Sequence, residues 1–175
     1  VGMHVTWDGA TMSVTDMINE GVRRAYTHPD NVLRSSILED PDGARKNTKD
    51  NTPAVIHYEI VEGHRVDVQV AAKGGGSENK SKMVMLNPSD SIVDWVVKTV
   101  PTMGAGWCPP GMLGIGIGGT AEKAAVMAKE SLMDPIDIHE LRERGPKTRA
   151  EELRLELVEA VNNLGIGAQG LGGLT

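Results

Sequence analysis

The sequence predicts an α+β fold, in which a mixed or antiparallel sheet is covered by helices and glycine-rich loops gather at one end. Three observations lead to this prediction. Residues 55–72 alternate apolar and polar side chains in two short runs, which is the pattern of a β-hairpin. Several other segments carry apolar residues at helical spacing behind capping residues. Glycine occurs 21 times and is concentrated in segments that flank these elements.

Composition and charge narrow the class of protein. The 175 residues suffice for one domain, predicted to span residues 1–175, with a core built without Phe from aliphatic side chains and nine Met. The net charge of −6 disfavours a nucleic-acid partner, which needs a basic surface. We expect no membrane partner because no apolar stretch approaches the roughly 20 residues of a spanning helix. One Cys leaves the redox compartment open, with a cytoplasmic location as the default expectation.

The first half of the chain predicts one helix, one loop and the hairpin. Ser13 and Asp16 resemble a capping box that opens a helix running to Tyr26. A turn at residues 28–31 ends this helix. Residues 39–53 are polar and contain Gly and Pro, so we expect a long loop, a feature that is often functional.

The second half predicts four helices and one buried strand. Ser89 or Asp90 begins a helix that ends at Pro101. The short apolar run 112–117 predicts a buried strand. The three remaining helices are predicted over residues 121–132, 136–144 and 148–164. The last of these begins with a capping box at Thr148 and is followed by a glycine in the position of a helix C-cap.

The first of three glycine-rich segments is residues 73–80, KGGGSENK. Three consecutive glycines after a strand allow several backbone N–H groups to point into one concavity, which suits an anion. The flanking lysines add positive charge. A flexible surface turn explains the same composition, so both interpretations stay open here.

The second segment, residues 114–119, fits the pattern G-x-G-x-x-G of dinucleotide-binding proteins. The repeated strand–helix pattern of that fold is absent, however, and Asp137 lies in a helical segment instead of at the end of a second strand. We therefore expect these glycines to pack backbone closely against a ligand or cofactor, with the next helix N-terminus pointing at an anion.

The third segment, residues 104–111, carries Cys108 between glycines and prolines. Small neighbours on an irregular loop would let a metal cluster approach closely, and Pro follows cluster-binding Cys in some iron–sulfur proteins. An idle thiol is the alternative. A thiolate nucleophile is disfavoured because no His lies in the segment to serve as its base. The five His show no metal-binding spacing, and no pair of carboxylates marks an acid–base centre.

Taken in order, a set of strings along nearly the whole chain resembles the catalytic iron–sulfur domain of class I, iron–sulfur-dependent, fumarate hydratases and their tartrate dehydratase relatives. The strings are WDG (7–9), INEGVRRAY (18–26), NVLR (31–34), KNTKDNTPA (46–54), KGGGSENK (73–80), GAGWCPPGMLGIGIGGTAEKA (104–124) and GIGAQGLGG (165–173). The set is specific, whereas each string alone is common.

The resemblance implies a hydro-lyase that hydrates fumarate reversibly to (S)-malate, a reaction of the tricarboxylic acid cycle. Dehydration of tartrate and hydration of a mesaconate-type substrate are the alternatives within the class. The family uses a [4Fe–4S] cluster held by three Cys, with one open iron as a Lewis acid. Cys108 matches the middle Cys, and the resemblance puts the others before Val1 and after Thr175. We therefore expect this chain alone, an incomplete part of the catalytic domain, to bind no cluster and to be inactive.

The resemblance also suggests substrate-binding residues and partners. Arg34 matches an arginine that clamps a substrate carboxylate, and Gly74, Gly75 and Gly76 match the segment that lines the substrate site. The implied partners are a small dicarboxylate, the C-terminal domain of the same enzyme and a second copy in a homodimer. The catalytic acid–base residues are not identifiable. A non-catalytic or truncated domain that serves dimerisation or folding remains a hypothesis of a different class.

Overall fold

A computed structural model describes residues 8–175 of the chain. Their contacts group them into two compact units, of which the first ends at Val66 and the second runs from Asp67 to Thr175. The described residues contain six α-helices and one two-stranded antiparallel sheet. The predicted α+β class is therefore confirmed, although the sheet is much smaller than predicted. No helix among these residues is both long and apolar enough to cross a membrane.

The first unit is built around helix α1 (Val14–Thr27). Ser13 caps it as predicted, because its hydroxyl accepts a hydrogen bond from the backbone N–H of Asp16 at 3.1 Å. A small sheet follows, in which strand β1 (Leu38–Glu39) pairs antiparallel with strand β2 (Lys46–Asn47). These strands lie mostly within residues 39–53, for which the sequence predicted only a loop.

The second unit contains helices α2 (Gly75–Glu78), α3 (Ile92–Thr99), α4 (Ala121–Glu130), α5 (Ile138–Arg144) and α6 (Arg149–Asn162). The hydroxyl of Ser91 caps α3, so this helix begins slightly later than predicted. A 3-10 turn (Val100–Met103) continues α3. Helices α3 and α6 pack on each other and enclose the core, which comprises Val96, Val100, Trp107, Leu153, Leu157 and Val161.

The predicted hairpin over residues 55–72 is wrong, since none of these residues lies in a strand. Their apolar side chains are largely exposed, with 85% of Val55, 62% of Val68 and 83% of Val70 open to solvent. The alternating pattern describes a chain that would suit a strand, but a strand exists only when another strand pairs with it. Residues 112–117 also form no strand, although Leu113 and Ile115 pack against the core.

Candidate functional site

The only cysteine lies on a tight turn, Ala105–Cys108, which we call the cysteine turn. The N–H of Cys108 donates to the carbonyl oxygen of Ala105 at 3.0 Å and closes the turn. The residues on either side of Cys108 are buried: Trp107 belongs to the core and Pro109 is almost completely enclosed. Cys108 itself is exposed and forms no disulfide. Two buried anchors thus hold the turn and direct the intervening thiol towards solvent.

The backbone of Cys108 is in the left-handed region, with φ of 61°. A residue with a Cβ pays of order 1–2 kcal/mol for this conformation, so the surroundings must enforce it. The packing around Trp107 provides that constraint. A methyl group added at Gly111 would come within 3.1 Å of the Trp107 ring, which shows how closely the chain folds back over the indole. The exposed position of Cys108 is therefore fixed by its neighbours.

The first glycine-rich segment lies against the cysteine turn. A methyl group added at Gly76 would be 3.5 Å from the carbonyl oxygen of Gly106. The Lys80 side chain lies across Gly106 so closely that a methyl group there would overlap its Cε atom. Gly75 and Gly76 open helix α2, whose first N–H groups have no partner within the helix. The structure therefore brings together two of the predicted segments, the triple glycine and the loop of Cys108.

The C-terminal glycine-rich segment supports the cysteine turn from another direction. The N–H of Gln169 donates to the carbonyl oxygen of Pro109 at 2.8 Å. A methyl group added at Gly170 would be 3.5 Å from Cβ of Ala105. Gln169, like Cys108, has a left-handed backbone, with φ of 55°. Gln169 donates this hydrogen bond, and Cys108 immediately precedes the acceptor Pro109. Two non-glycine residues in this rare conformation therefore lie next to one hydrogen bond.

A charged cluster connects the glycine segment to helix α4. The Glu78 carboxylate accepts a hydrogen bond from Lys129 and lies 3.4 Å from the ammonium of Lys73. The Lys129 hydrogen bond is the main reason that the pKa of Glu78 is lowered, and the charges of Lys129 and Lys73 act in the same direction. Lys73 also donates to the Ser77 hydroxyl at 3.0 Å. These contacts fix the two ends of the triple-glycine segment.

Arg34 belongs to the first unit and is exposed. No carboxylate of residues 8–175 lies within 4 Å of its guanidinium. Arg23 and Arg24 differ, because both pair with Glu20 on helix α1, and Arg23 also pairs with Asp50 at 3.1 Å. Only Arg34 of these three arginines is therefore left without an internal anionic partner in the described part of the chain.

Two glycines of the second segment, Gly114 and Gly116, pack closely against protein instead of leaving space for a ligand. A methyl group added at Gly116 would overlap the carbonyl oxygen of Ala124 on helix α4. One added at Gly114 would be 2.8 Å from Cγ of Leu132. Asp137 caps helix α5 through the N–H groups of residues 139 and 140. The first two glycines of the pattern G-x-G-x-x-G therefore serve packing, and Asp137 has a structural partner.

A cluster site is incomplete in this chain. A [4Fe–4S] cluster of the kind discussed above needs three thiolates, and the sequence contains one Cys. Residues 8–175 also contain no group of three or more His, Cys, Asp and Glu side chains that could hold a metal ion. The exposed Cys108, with glycine and alanine beside it, fits the role of one ligand only.

Three residues with roles at the cysteine turn were missed in the sequence. Trp107 is its buried anchor, Gln169 holds the following proline, and Lys80 covers Gly106. Lys80 and Gln169 belong to glycine-rich strings that were noticed, but neither string indicates which distant residue it contacts. The residue type was the available signal for Trp107, because tryptophan side chains are highly buried on average.

Comparisons with known proteins agree with the resemblance drawn from the motifs. The family model described as fumarate hydratase (Fumerase) matches residues 1–175. A Methanocaldococcus jannaschii protein, provisionally named L(+)-tartrate dehydratase subunit alpha, is 36% identical over 168 residues, covering 93% of this chain and 56% of its own. The L(+)-tartrate dehydratase subunit alpha of Escherichia coli K12 is 34% identical over 146 residues, covering 81% of this chain and 46% of its own.

This chain thus spans about half the length of the curated relatives it matches. No solved structure matches it. The family model covers every residue, and the motifs that define the cysteine turn and the glycine segment all fall within that match. The chain belongs to the fumarate hydratase (Fumerase) family.

Proposed function

We propose that this chain forms part of a hydro-lyase that removes water from a four-carbon hydroxydicarboxylate, with L-tartrate as the favoured substrate. The observation that carries the proposal is the cysteine turn, in which an exposed thiol is held between two buried residues and beside the triple-glycine segment. This arrangement occurs in a chain that the Fumerase family model matches throughout. In a dehydratase, the thiol would ligate an iron–sulfur cluster and the glycine segment would bind a substrate carboxylate.

Cys108 is proposed as one of three thiolate ligands of a [4Fe–4S] cluster in the complete protein. Its exposure leaves the sulfur accessible to an iron atom, and its rigid anchors fix the direction from which iron approaches. When bound, such a cluster supplies a Lewis-acidic iron for the departing hydroxyl group. The other two thiolates must come from outside this chain, which contains a single Cys.

The glycine segment is proposed to bind a substrate carboxylate, and Arg34 is proposed independently as a carboxylate-binding residue. The first N–H groups of helix α2, contributed by Gly75 and Gly76 after Gly74, have no partner within the helix and suit one carboxylate. The planar guanidinium of Arg34 suits the bidentate binding of a carboxylate. Its lack of an internal anionic partner among residues 8–175 supports this assignment over Arg23 and Arg24, which are already paired.

The names of the relatives favour tartrate over fumarate. The matched proteins of Methanocaldococcus jannaschii and Escherichia coli are both named for L(+)-tartrate dehydration. Hydration of fumarate to (S)-malate, predicted first from the motifs, is the second candidate, supported by the description of the family model. Both reactions transform a dicarboxylate by adding or removing water, so the same carboxylate-binding groups serve either.

The same names bear on the partner. Both relatives are called alpha subunits, which supports a second polypeptide in the assembly. We infer that the remaining acid–base groups are supplied either by that polypeptide or by further residues of the complete protein. The C-terminal domain and the homodimer implied by the motifs remain proposals alongside this one.

The test is a substrate comparison on the complete protein, purified without oxygen together with any copurifying subunit and supplied with iron and sulfide. Oxaloacetate formed from L-tartrate is measured by coupling its reduction to a second enzyme. We expect kcat/KM for L-tartrate dehydration to exceed kcat/KM for fumarate hydration. Cys108→Ser should abolish both activities and lower the iron content. Arg34→Gln should raise KM by about 10- to 100-fold, as expected for the loss of charged hydrogen bonds worth about 1.5–3 kcal/mol.

Arg24→Gln is the matched control, because it removes the same guanidinium from a residue that is paired with Glu20 on helix α1. It should leave KM unchanged. Faster turnover of fumarate than of tartrate would reverse the substrate assignment while preserving the hydro-lyase. A Cys108→Ser protein that retained its iron and activity would exclude Cys108 as a ligand. Absence of both activities in a protein with a complete cluster would refute the proposed function.

A further inference from the structure

The string KNTKDNTPA (46–54) has no role in the proposed function, yet it binds the residues that follow Arg34. Its first two residues form strand β2. The pairing with β1 continues back to Ile37, whose carbonyl oxygen accepts a hydrogen bond from the N–H of Thr48 at 3.0 Å. Before Ile37, directly after Arg34, the backbone binds side chains of the same string instead.

Two asparagines of the string, Asn47 and Asn51, provide these side chains, and we call them the asparagine clamp. The Asn47 amide N–H donates to the carbonyl oxygen of Ser35 at 2.9 Å, and its Oδ1 accepts from the Ser35 hydroxyl at 3.1 Å. Oδ1 of Asn51 accepts from the N–H groups of the next two residues, at 2.8 and 3.3 Å. Each of the three residues after Arg34 is thus bound by a side-chain amide.

The chain before Arg34 is bound in the same way by a nearby asparagine. The N–H of Leu33 donates to Oδ1 of Asn31 at 3.0 Å, and the amide N–H of Asn31 donates to the Leu33 carbonyl oxygen at 2.8 Å. Arg34 therefore lies between two fixed neighbours, while its own side chain is exposed. Because its backbone is fixed before a ligand arrives, less conformational freedom is lost when the guanidinium binds a carboxylate.

The asparagine clamp depends on an unfavourable backbone. After Thr48 the chain turns, and Lys49 and Asn51 adopt left-handed conformations with φ of 70° and 57°. The N–H of Lys49 donates at 2.7 Å to Oδ1 of Asn47, the same atom that accepts from Ser35. Left-handed conformations cost free energy in residues with a Cβ, and they cluster at ligand-binding sites. The turn and the clamp thus form one hydrogen-bonded unit behind Arg34.

We propose that Asn47 and Asn51 are positioning residues for Arg34 and fix the point from which its guanidinium reaches a dicarboxylate. They act through the backbone of residues 35–37 rather than on the ligand. This inference rests on the proposed function, because it takes Arg34 as a carboxylate-binding residue. A purely structural role of the two asparagines predicts lower stability with unchanged affinity, whereas a positioning role predicts weaker binding.

The test measures the affinity of the complete, cluster-loaded protein for succinate by calorimetric titration. Succinate is a four-carbon dicarboxylate without the hydroxyl group or double bond on which a hydro-lyase acts. Asn47→Ala should raise the Kd of succinate about 3- to 10-fold, as expected for the loss of one neutral hydrogen bond. Asn51→Gly removes an acceptor but suits the left-handed backbone, so its effect should be similar. Arg34→Gln should have a larger effect, because it removes the guanidinium itself.

Asn19→Ala is the matched control. Oδ1 of Asn19 also binds a distant backbone N–H of the first unit, that of Ala54 at 2.8 Å, but it does not bind the chain around Arg34. The control should leave the Kd unchanged even where it lowers thermal stability as much as Asn47→Ala. A double variant tests the coupling: Asn47→Ala should add no further increase in Kd to that of Arg34→Gln.

An unchanged Kd in either clamp variant, with weaker binding in Arg34→Gln, would overturn the inference and leave the proposed function in place. Equal weakening by Asn19→Ala, or multiplying effects in the double variant, would overturn it as well. A parent protein that binds no succinate, or an unchanged Kd in Arg34→Gln, would also overturn it. A parent that binds succinate but converts neither L-tartrate nor fumarate would refute the proposed reaction, while a Kd that depends on the clamp would still support the positioning role.

Discussion

Two regions of the second unit have similar sequence character and opposite surroundings. Helices α3 and α6 bury Val96, Leu157 and Val161 in a common core. Residues 67–72 are also rich in valine, yet Val68 and Val70 are mostly exposed. Apolar content alone therefore does not decide which side chains are buried. The two regions differ in the secondary structure that their sequences favour. A helix forms its hydrogen bonds locally, whereas a strand needs a second strand from elsewhere in the chain.

Helices make their backbone hydrogen bonds within one segment, so periodic apolar residues and a cap indicate where a helix forms, although packing supplies most of its stability. The capping hydroxyl of Thr148 is used as the sequence indicates, whereas Ser91 caps α3 in place of the predicted Ser89 or Asp90. A strand instead requires hydrogen bonds from another segment before its alternating side chains gain a common face. The two helices bury their apolar faces on each other, whereas the unpaired strand-like segment leaves its valines exposed.

The largest effect that would sharpen this comparison is expected at the core. Leu157→Ala should lower the free energy of unfolding by about 2–5 kcal/mol, because it removes a buried side chain and leaves a cavity. Val68→Ala, at a residue that is 62% exposed, should change it by less than about 0.5 kcal/mol. Denaturant unfolding of both variants, with the parent chain alongside, measures the difference.

Equal destabilisation by the two substitutions would contradict the comparison. It would mean that residues 67–72 bury their valines in solution against a partner segment, as the alternating pattern predicted. A small effect of Leu157→Ala alone would show instead that the packing of α3 against α6 contributes little to stability. The two variants therefore separate an error about the extended segment from an error about the core.

The sequence predicted local features well and long-range contacts poorly. The caps at Ser13 and Thr148 follow from short patterns whose partners are three residues away, and both are present. The approach of Gly76 to Gly106, and the hydrogen bond from Gln169 to Pro109, join segments that are far apart in the sequence. No pattern within either segment encodes its partner, which is why the support of the cysteine turn was not predicted.

Glycines that look alike in the sequence also differ between regions. Gly116→Ala should destabilise the chain by about 1–3 kcal/mol, because the new methyl group would overlap the backbone of Ala124, which cannot move without shifting helix α4. Gly75→Ala has open space around it and an ordinary backbone, so it should change stability by at most about 1 kcal/mol, in the stabilising direction. Thermal unfolding of the two variants tests this difference.

A marked loss of stability in Gly75→Ala would show that the glycine segment packs against something close to its Cα atom. Unchanged stability in Gly116→Ala would mean that the segment 112–117 does not lie directly on helix α4. In the second case a ligand-binding role for the G-x-G-x-x-G pattern would have to be reconsidered. The pair thus distinguishes glycines required by packing from glycines available for binding.

The smallest expected effect concerns the charged contact at the start of helix α6. The hydrogen bond from Arg144 is the main cause that lowers the pKa of Glu151 from 4.5 to about 2, and the Lys147 N–H adds to it. A carboxyl group whose pKa is lower in the folded state stabilises the fold above its unfolded pKa, and this contribution is lost as pH falls. Its loss should therefore occur between about pH 4.5 and pH 2.

Glu151→Gln keeps an acceptor for the Lys147 N–H but cannot titrate. It should be less stable than the parent at neutral pH, and the difference should shrink as pH falls from 4.5 to about 2, because the parent alone loses its ionised carboxylate over that range. Glu152→Gln is the matched control, since Glu152 pairs only with the exposed Arg149. Parallel stability curves of the parent and Glu151→Gln across this range would mean that the ionised Glu151 carboxylate contributes nothing to folding through Arg144. The contact between α5 and α6 would then be stabilised by apolar packing alone.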